Sequence, residues 1–130
     1  MHPHEKAFFE AFVVPKKRDR YVELLDTVHG REKIRLLHDH FADLDRRFCR
    51  PIKPSEQNPA DTLRILKSLG AGRVAHVMSS AKDLDGREMP LDEALKTIMG
   101  KGNGTVLSCV TGALAYFESE ERNEGYVCHR

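Results

Sequence analysis

The sequence predicts an α+β fold, in which N-terminal helices are followed by a small, largely antiparallel sheet with one further helix. Two observations carry this prediction: apolar residues recur at helical spacing over residues 1–70, and after Gly72 the apolar period changes to two. A third is that turn-forming glycines separate the short apolar segments of residues 73–130. We expect the helices to cover one face of the sheet.

The length of the chain, 130 residues, predicts a single domain over residues 1–130. Within it we distinguish a helical half at 1–70 and a sheet-containing half at 73–130. Three prolines in residues 50–59 prevent a continuous helix there, so we interpret this segment as a connector.

The first predicted helix begins at Pro3 and carries the apolar residues Phe8, Phe9, Phe12 and Val13. Val14 ends it, because a residue that precedes a proline avoids the helical conformation. We expect this apolar face to pack on the rest of the chain. The alternative is a homodimer contact through this N-terminal helix, because exposed apolar patches mark interfaces.

The second and third helices are predicted on either side of Gly30. The second begins at Pro15 and ends at His29-Gly30, where glycine adopts the left-handed conformation at little cost. The third begins at Arg31 and presents one apolar face made by Ile34, Leu37, Phe41 and Leu44.

A fourth helix is predicted from Pro59 to Leu69. Asn58 is a good N-cap residue, Pro59 suits the first helical position, and Asp61 places an acid in the first turn. Gly70 is expected to end this helix.

The sheet is predicted from five segments, with a fifth helix between the second and the third. Asp85-Gly86 predicts a tight turn, and Pro90 and Gly100 bound the fifth helix. The strands are expected at 73–79, 87–89, 105–110, 113–118 and 126–129.

Composition excludes several classes of protein. Hydrophobic residues make up 40% and charged residues 32%, which is typical of a globular chain. Lys and Arg number 21 against 20 Asp and Glu, so a nucleic-acid binder that works by bulk charge is excluded. No apolar run approaches the roughly 20 residues that span a bilayer, and the first residues do not resemble a signal peptide. Three cysteines without metal-ligand spacing favour a reducing, cytoplasmic location.

Two motifs that suggest a ligand are rejected, and we expect neither a metal nor a cofactor. Residues 100–104, Gly-Lys-Gly-Asn-Gly, follow a helix and precede a strand, which is the reverse of a phosphate-binding loop. His38 and His40 lie two residues apart in a predicted helix, so their side chains point away from each other and do not meet on one ion.

One weak pair of catalytic candidates is a histidine with a cysteine. His76 and Cys109 both lie in predicted strands, and a cysteine beside a base is a nucleophile. Asp83, Asp85 or Glu88 would orient the histidine. The alternative is that both residues fill the core, because each shares its strand face with apolar residues.

Basic clusters offer the stronger hypothesis. Four cations lie within residues 16–20 and four more within residues 46–53. A short link between the second and third helices would fold them antiparallel and bring the clusters together. The residues expected to bind an acidic protein, a nucleic acid or another anion are Lys17, Arg18, Arg20, Arg46 and Arg47. The alternative is a solvated face whose cations are balanced by nearby acids.

The sequence therefore predicts a small cytoplasmic binding or regulatory protein that recognises an acidic partner or an anionic ligand. One alternative is a small enzyme with a His/Cys or carboxylate site between the helices and the sheet. A structural domain without catalytic activity is the other.

Overall fold

The computed structural model describes residues 2–37, 43–120 and 124–130. The fold is α+β, as predicted, and contains one antiparallel sheet of six strands in the order β1-β6-β5-β4-β2-β3. Its described helices are α1 (Pro3–Phe12), α2 (Pro15–Leu24), α3 (Val28–Leu37), α4 (Pro59–Ser68) and α5 (Leu91–Ile98). Its strands are β1 (Cys49–Pro51), β2 (Val74–Ser79), β3 (Glu88–Pro90), β4 (Thr105–Val110), β5 (Leu114–Glu118) and β6 (Gly125–His129).

Helices cover both faces of the sheet, not one face as expected. One core packs α1 and α2 against Met78, Val106 and Phe117. The other packs α4 and α5 against Val77, Leu107 and other residues whose side chains point the opposite way. Because both faces are covered, all five residues of β5 are buried, and the strand does not alternate between buried and exposed residues.

The first and fourth helices begin where the sequence predicts. The Asn58 side chain accepts the Asp61 amide hydrogen at 2.8 Å, which caps α4. In α1 the Phe8, Phe9 and Phe12 side chains are at most 1% exposed. This apolar face therefore packs on the rest of the chain, as expected, and these three side chains are not left exposed for the alternative homodimer contact.

The second and third helices differ from the prediction. Helix α2 ends at Leu24, and Thr27 caps α3 by accepting the Gly30 amide hydrogen at 2.9 Å. Gly30 lies inside α3, and a Cβ atom there would stand 2.2 Å from the Leu24 carbonyl oxygen. Glycine is needed at this position for close helix packing, not for a left-handed turn.

The predicted third helix does not reach Leu44. This residue is extended and forms an isolated antiparallel bridge with Val13, in which the Asp45 amide donates to the Phe12 carbonyl at 2.7 Å. The bridge draws Leu44 back toward the end of α1. Phe41 lies outside the described residues, as do His38 and His40.

The predicted connector contains a strand that its sequence does not predict. Residues 49–51 form β1 at the edge of the sheet, where Pro51 is tolerated because an edge strand has a free side. A short 3-10 helix, Pro54–Glu56, then leads to α4. In the described part of the chain, no helix combines the length and apolar character needed to cross a membrane.

Candidate functional site

A buried charge cluster forms where α1, α3 and β2 meet. The Glu5 carboxylate is 3% exposed and accepts hydrogen bonds from both terminal nitrogens of Arg31, one of them at 2.7 Å. It also contacts His76 Nε2 at 2.7 Å. Arg31 Nε lies 3.3 Å from Asp85, in the turn that precedes β3. Four charged or ionisable side chains from separate parts of the chain are thus fixed by one another.

The electrostatics of Glu5 favour its ionised form. Burial alone would raise the pKa of Glu5, but hydrogen bonds from His76 and Arg31 outweigh it and lower the pKa to about 2. The same pairing with Glu5 raises the pKa of Arg31. A carboxylate held in this way orients the imidazole of His76.

Two further histidines, His2 and His4, lie next to the Glu5–His76 pair. The His2 ring stacks on the His76 ring, with centroids 3.8 Å apart. His2 Nδ1 also caps α1 by accepting the His4 amide hydrogen at 3.2 Å. His4 Nδ1 lies 2.6 Å from the Ser108 hydroxyl oxygen, and burial, followed by the charges of His76 and His2, lowers the pKa of His4. The N-terminal turn of α1 therefore covers His76.

His76 Nδ1 is buried and has no hydrogen-bond partner among the described residues. A cavity of about 360 Å³ is lined by His76 together with His2, Glu5, Leu25, Arg31, Asp85 and Gly86. Buried polar atoms are nearly always paired, so the unpaired ring nitrogen sets His76 apart from the other side chains of this cluster.

The structure does not bring the weak candidate pair, His76 and Cys109, together. His76 faces α1, whereas Cys109 belongs to the core on the opposite face of the sheet. The Cys109 thiol donates to the Leu107 carbonyl at 3.7 Å, and burial raises its pKa to about 12. A thiol this weakly acidic, and separated from the histidine by the sheet, is not activated as a nucleophile by His76.

The residue that orients His76 is not one of the three acids considered for that role, Asp83, Asp85 and Glu88. Glu5 holds the imidazole, while Asp85 reaches it only through Arg31. Glu88 is opposite His76 in the β2–β3 register but is exposed. Glu5 and His76 are 71 residues apart, and no local spacing signals that they meet.

The two predicted basic clusters do converge, at Asp45. Arg18 of α2 lies 3.5 Å from this buried carboxylate, and Arg47 binds it with its closest contact at 2.7 Å. The hydrogen bond from Arg47 holds the pKa of Asp45 below its usual value. The Val13–Leu44 bridge places the two segments together, in place of the expected long third helix.

Aromatic rings hold two more arginines beside this pair. The Arg46 guanidinium lies 4.7 Å from the centre of the Tyr126 ring, and that of Arg130 lies 4.2 Å from the centre of the Phe48 ring. We call Arg18, Arg46, Arg47 and Arg130 the arginine surface. Of the other predicted residues, Lys17 is half-buried and Arg20 is exposed on α2.

No group of side chains suited to a metal ion occurs among residues 2–37, 43–120 and 124–130. The sequence matches no known family model and no curated protein, and the fold matches no solved structure. The function therefore has to be inferred from the side chains themselves.

Proposed function

We propose that this chain is a binding or regulatory protein that recognises an acidic protein partner through the arginine surface. The observation that carries the proposal is that Arg18 and Arg47, from separate elements, share the single buried carboxylate of Asp45. Two guanidinium groups on one carboxylate leave a net positive charge. Because Asp45 also fixes their positions, less side-chain entropy is lost when an anion binds.

The aromatic contacts favour an acidic protein over a nucleic acid. Arginine forks match carboxylates with two parallel hydrogen bonds. Single-stranded nucleic acids also need free aromatic faces for base stacking, whereas guanidinium groups lie over Phe48 and Tyr126. The chain as a whole carries a formal charge of only +1, which gives little bulk attraction for a polyphosphate backbone.

The test is fluorescence anisotropy with a labelled poly-glutamate peptide and the full chain. Arg46 is the best residue to reverse because it is exposed and no carboxylate of the described residues pairs with it. Arg18 is a poor choice, since its Nε–H donates to the Val13 carbonyl at 2.8 Å. We expect Arg46→Glu to weaken binding by roughly tenfold or more.

Lys82→Glu is the matched control, because it makes the same charge change at an exposed turn beyond the arginine surface. It should leave the affinity within about twofold of that of the unsubstituted chain. Binding should also weaken as salt rises from about 50 to about 300 mM. Equal loss in both variants, or tighter binding of a single-stranded oligonucleotide than of the peptide, would contradict the proposal.

We also propose a reducing, cytoplasmic location. The three cysteines, Cys49, Cys109 and Cys128, are all buried free thiols, which is the usual state in such a compartment.

A second candidate function is acid–base catalysis at the charge cluster. The observation that favours it is the Glu5–His76 pair, in which Nδ1 has no partner among the described residues and both side chains line one cavity. In this role His76 exchanges a proton with a small substrate, and Glu5 is the residue that orients the ring.

An activated ester, p-nitrophenyl acetate, is a suitable probe because an oriented imidazole hydrolyses it. The full chain should release nitrophenol faster than buffer does, and His76→Gln should abolish the excess rate. His129→Gln, at an exposed histidine, should keep it. A rate that is unchanged by His76→Gln would rule out this role.

A further inference from the structure

Two of the three cysteines face each other across the edge of the sheet. Cys49 of β1 is the register partner of Cys128 in β6. Phe48 and His129, the residues next to Cys49 and Cys128, are also opposite each other, and the His129 amide donates to the Phe48 carbonyl at 2.9 Å. This bond places the cysteines at a non-hydrogen-bonded position, where opposed Cα atoms lie about 4.5 Å apart. Such a separation is within the range that a disulfide spans.

The surroundings of the two thiols are those of a reduced, protected pair. Cys49 is 2% exposed and Cys128 is fully buried, and both belong to the same core. The Cys49 thiol donates to the Phe12 carbonyl at 3.9 Å. A hydrogen bond with Cys49 and burial raise the pKa of Cys128 well above its usual value. Since the thiolate is the reactive form, the pair reacts slowly while the strand is closed.

We propose that Cys49 and Cys128 are a site of reversible disulfide modification that joins β1 to β6. The oxidant is a low-molecular-weight disulfide such as oxidised glutathione. The Cys49 thiolate attacks one sulfur of the oxidant, forming a mixed disulfide and releasing one glutathione, which takes up a proton. The Cys128 thiolate then attacks Cys49 Sγ and releases the second glutathione. Two protein thiols are oxidised and one glutathione disulfide is reduced to two thiols.

The position of β1 explains how the oxidant reaches a buried pair. This strand has three residues and, among the described strands, pairs with β6 alone. Short edge strands open at a lower free energy than central ones, so Cys49 becomes accessible without global unfolding. Cys109 provides an internal comparison, because it lies in the core on the other face of the sheet. The site does not depend on the proposed function.

The test starts from the full native chain, incubated with oxidised glutathione at mildly alkaline pH. The chain is then unfolded, alkylated with N-ethylmaleimide and weighed by mass spectrometry. We expect one alkylated thiol where the untreated chain has three, and a proteolytic fragment that links Cys49 to Cys128. Three alkylated thiols after oxidation, persistent glutathione adducts or a bond that includes Cys109 would overturn the proposal.

Thermal unfolding gives a second readout. A bond between residues 49 and 128 closes a long loop, so the oxidised chain should melt roughly 10 °C higher than the reduced one. Added dithiothreitol should reverse the increase. A melting temperature that falls or stays unchanged on oxidation would contradict the proposal. Cys109→Ser should leave the thermal increase intact, whereas Cys49→Ser should remove it.

Discussion

Replacing Glu5 by glutamine is expected to destabilise the chain by an amount that depends on pH. In the folded chain the pKa of Glu5 falls from a usual value of 4.5 to about 2. A difference of about 2.5 pKa units corresponds to roughly 3 kcal/mol of unfolding free energy. Because the Glu5 side chain is only 3% exposed, solvent screening reduces this figure little.

The sign follows from the direction of the shift. A lowered folded-state pKa means that ionised Glu5 stabilises the fold fully above about pH 4.5, and that this contribution is lost as pH falls toward about 2. Near neutral pH, the free energy of unfolding of the Glu5→Gln variant should therefore be roughly 3 kcal/mol lower than that of the unsubstituted chain. At about pH 3 the difference should shrink by half or more.

Urea unfolding followed by circular dichroism, repeated from neutral pH to about pH 3, measures both free energies. Glu10→Gln is the matched control, because Glu10 is on the same helix and its side chain is 53% exposed, with Lys6 at 3.9 Å. Its effect should stay below about 1 kcal/mol at every pH. An equal Glu5→Gln effect at all pH values would refute the charge-based account of this cluster.

Three further substitutions, two of them with a control variant, test the fold through urea unfolding curves. Gly30→Ala should lower the free energy of unfolding by about 1–3 kcal/mol, because the added Cβ atom would stand 2.2 Å from a backbone oxygen of the preceding helix. The control Gly72→Ala, whose Cβ atom would have nothing within 4 Å, should lower it by less than about 0.5 kcal/mol. Asn58→Ala should lower the free energy of unfolding by about 0.5–2 kcal/mol, and Asn58→Ser by much less, since serine still accepts the capping hydrogen bond. An unchanged unfolding curve for the alanine variant would show that Asn58 does not cap α4. Phe9→Ala should cost about 3–5 kcal/mol, because this side chain is fully buried; a small loss would show that α1 packs elsewhere.

Local sequence signals predicted most of the elements correctly. Asn58-Pro59 marks the start of α4, and the change to a period of two marks β2, because capping and strand patterns act over a few residues. The sequence predicted the end of α2 at Gly30 because glycine readily adopts the left-handed conformation. In the structure Gly30 has a different role: it lacks a Cβ atom, and this allows the backbone of α2 to approach closely. A glycine in the sequence does not reveal which of these two properties is used.

The charge cluster around Glu5 could not be predicted from the sequence, for a different reason. His76 was recognised as a candidate, but its partner Glu5 is contributed by a helix 71 residues earlier in the chain. The meeting of Arg18 with Arg47 was predicted, although the bridge between Val13 and Leu44 that brings it about was not. Contacts of this kind are fixed by the register of the whole fold, which one sequence does not display.

The order of the strands also bears on how this chain folds. Strand β6 lies between β1 and β5, so residues 49–51 gain their sheet partner only from residues 126–128. Distant pairings of this kind must overcome the entropy of closing a long loop before they contribute any stability, so they slow folding. During synthesis, β1 stays unpaired until β6 has left the ribosome, and the apolar side chains beneath β1 stay exposed to other chains or to a chaperone for that interval.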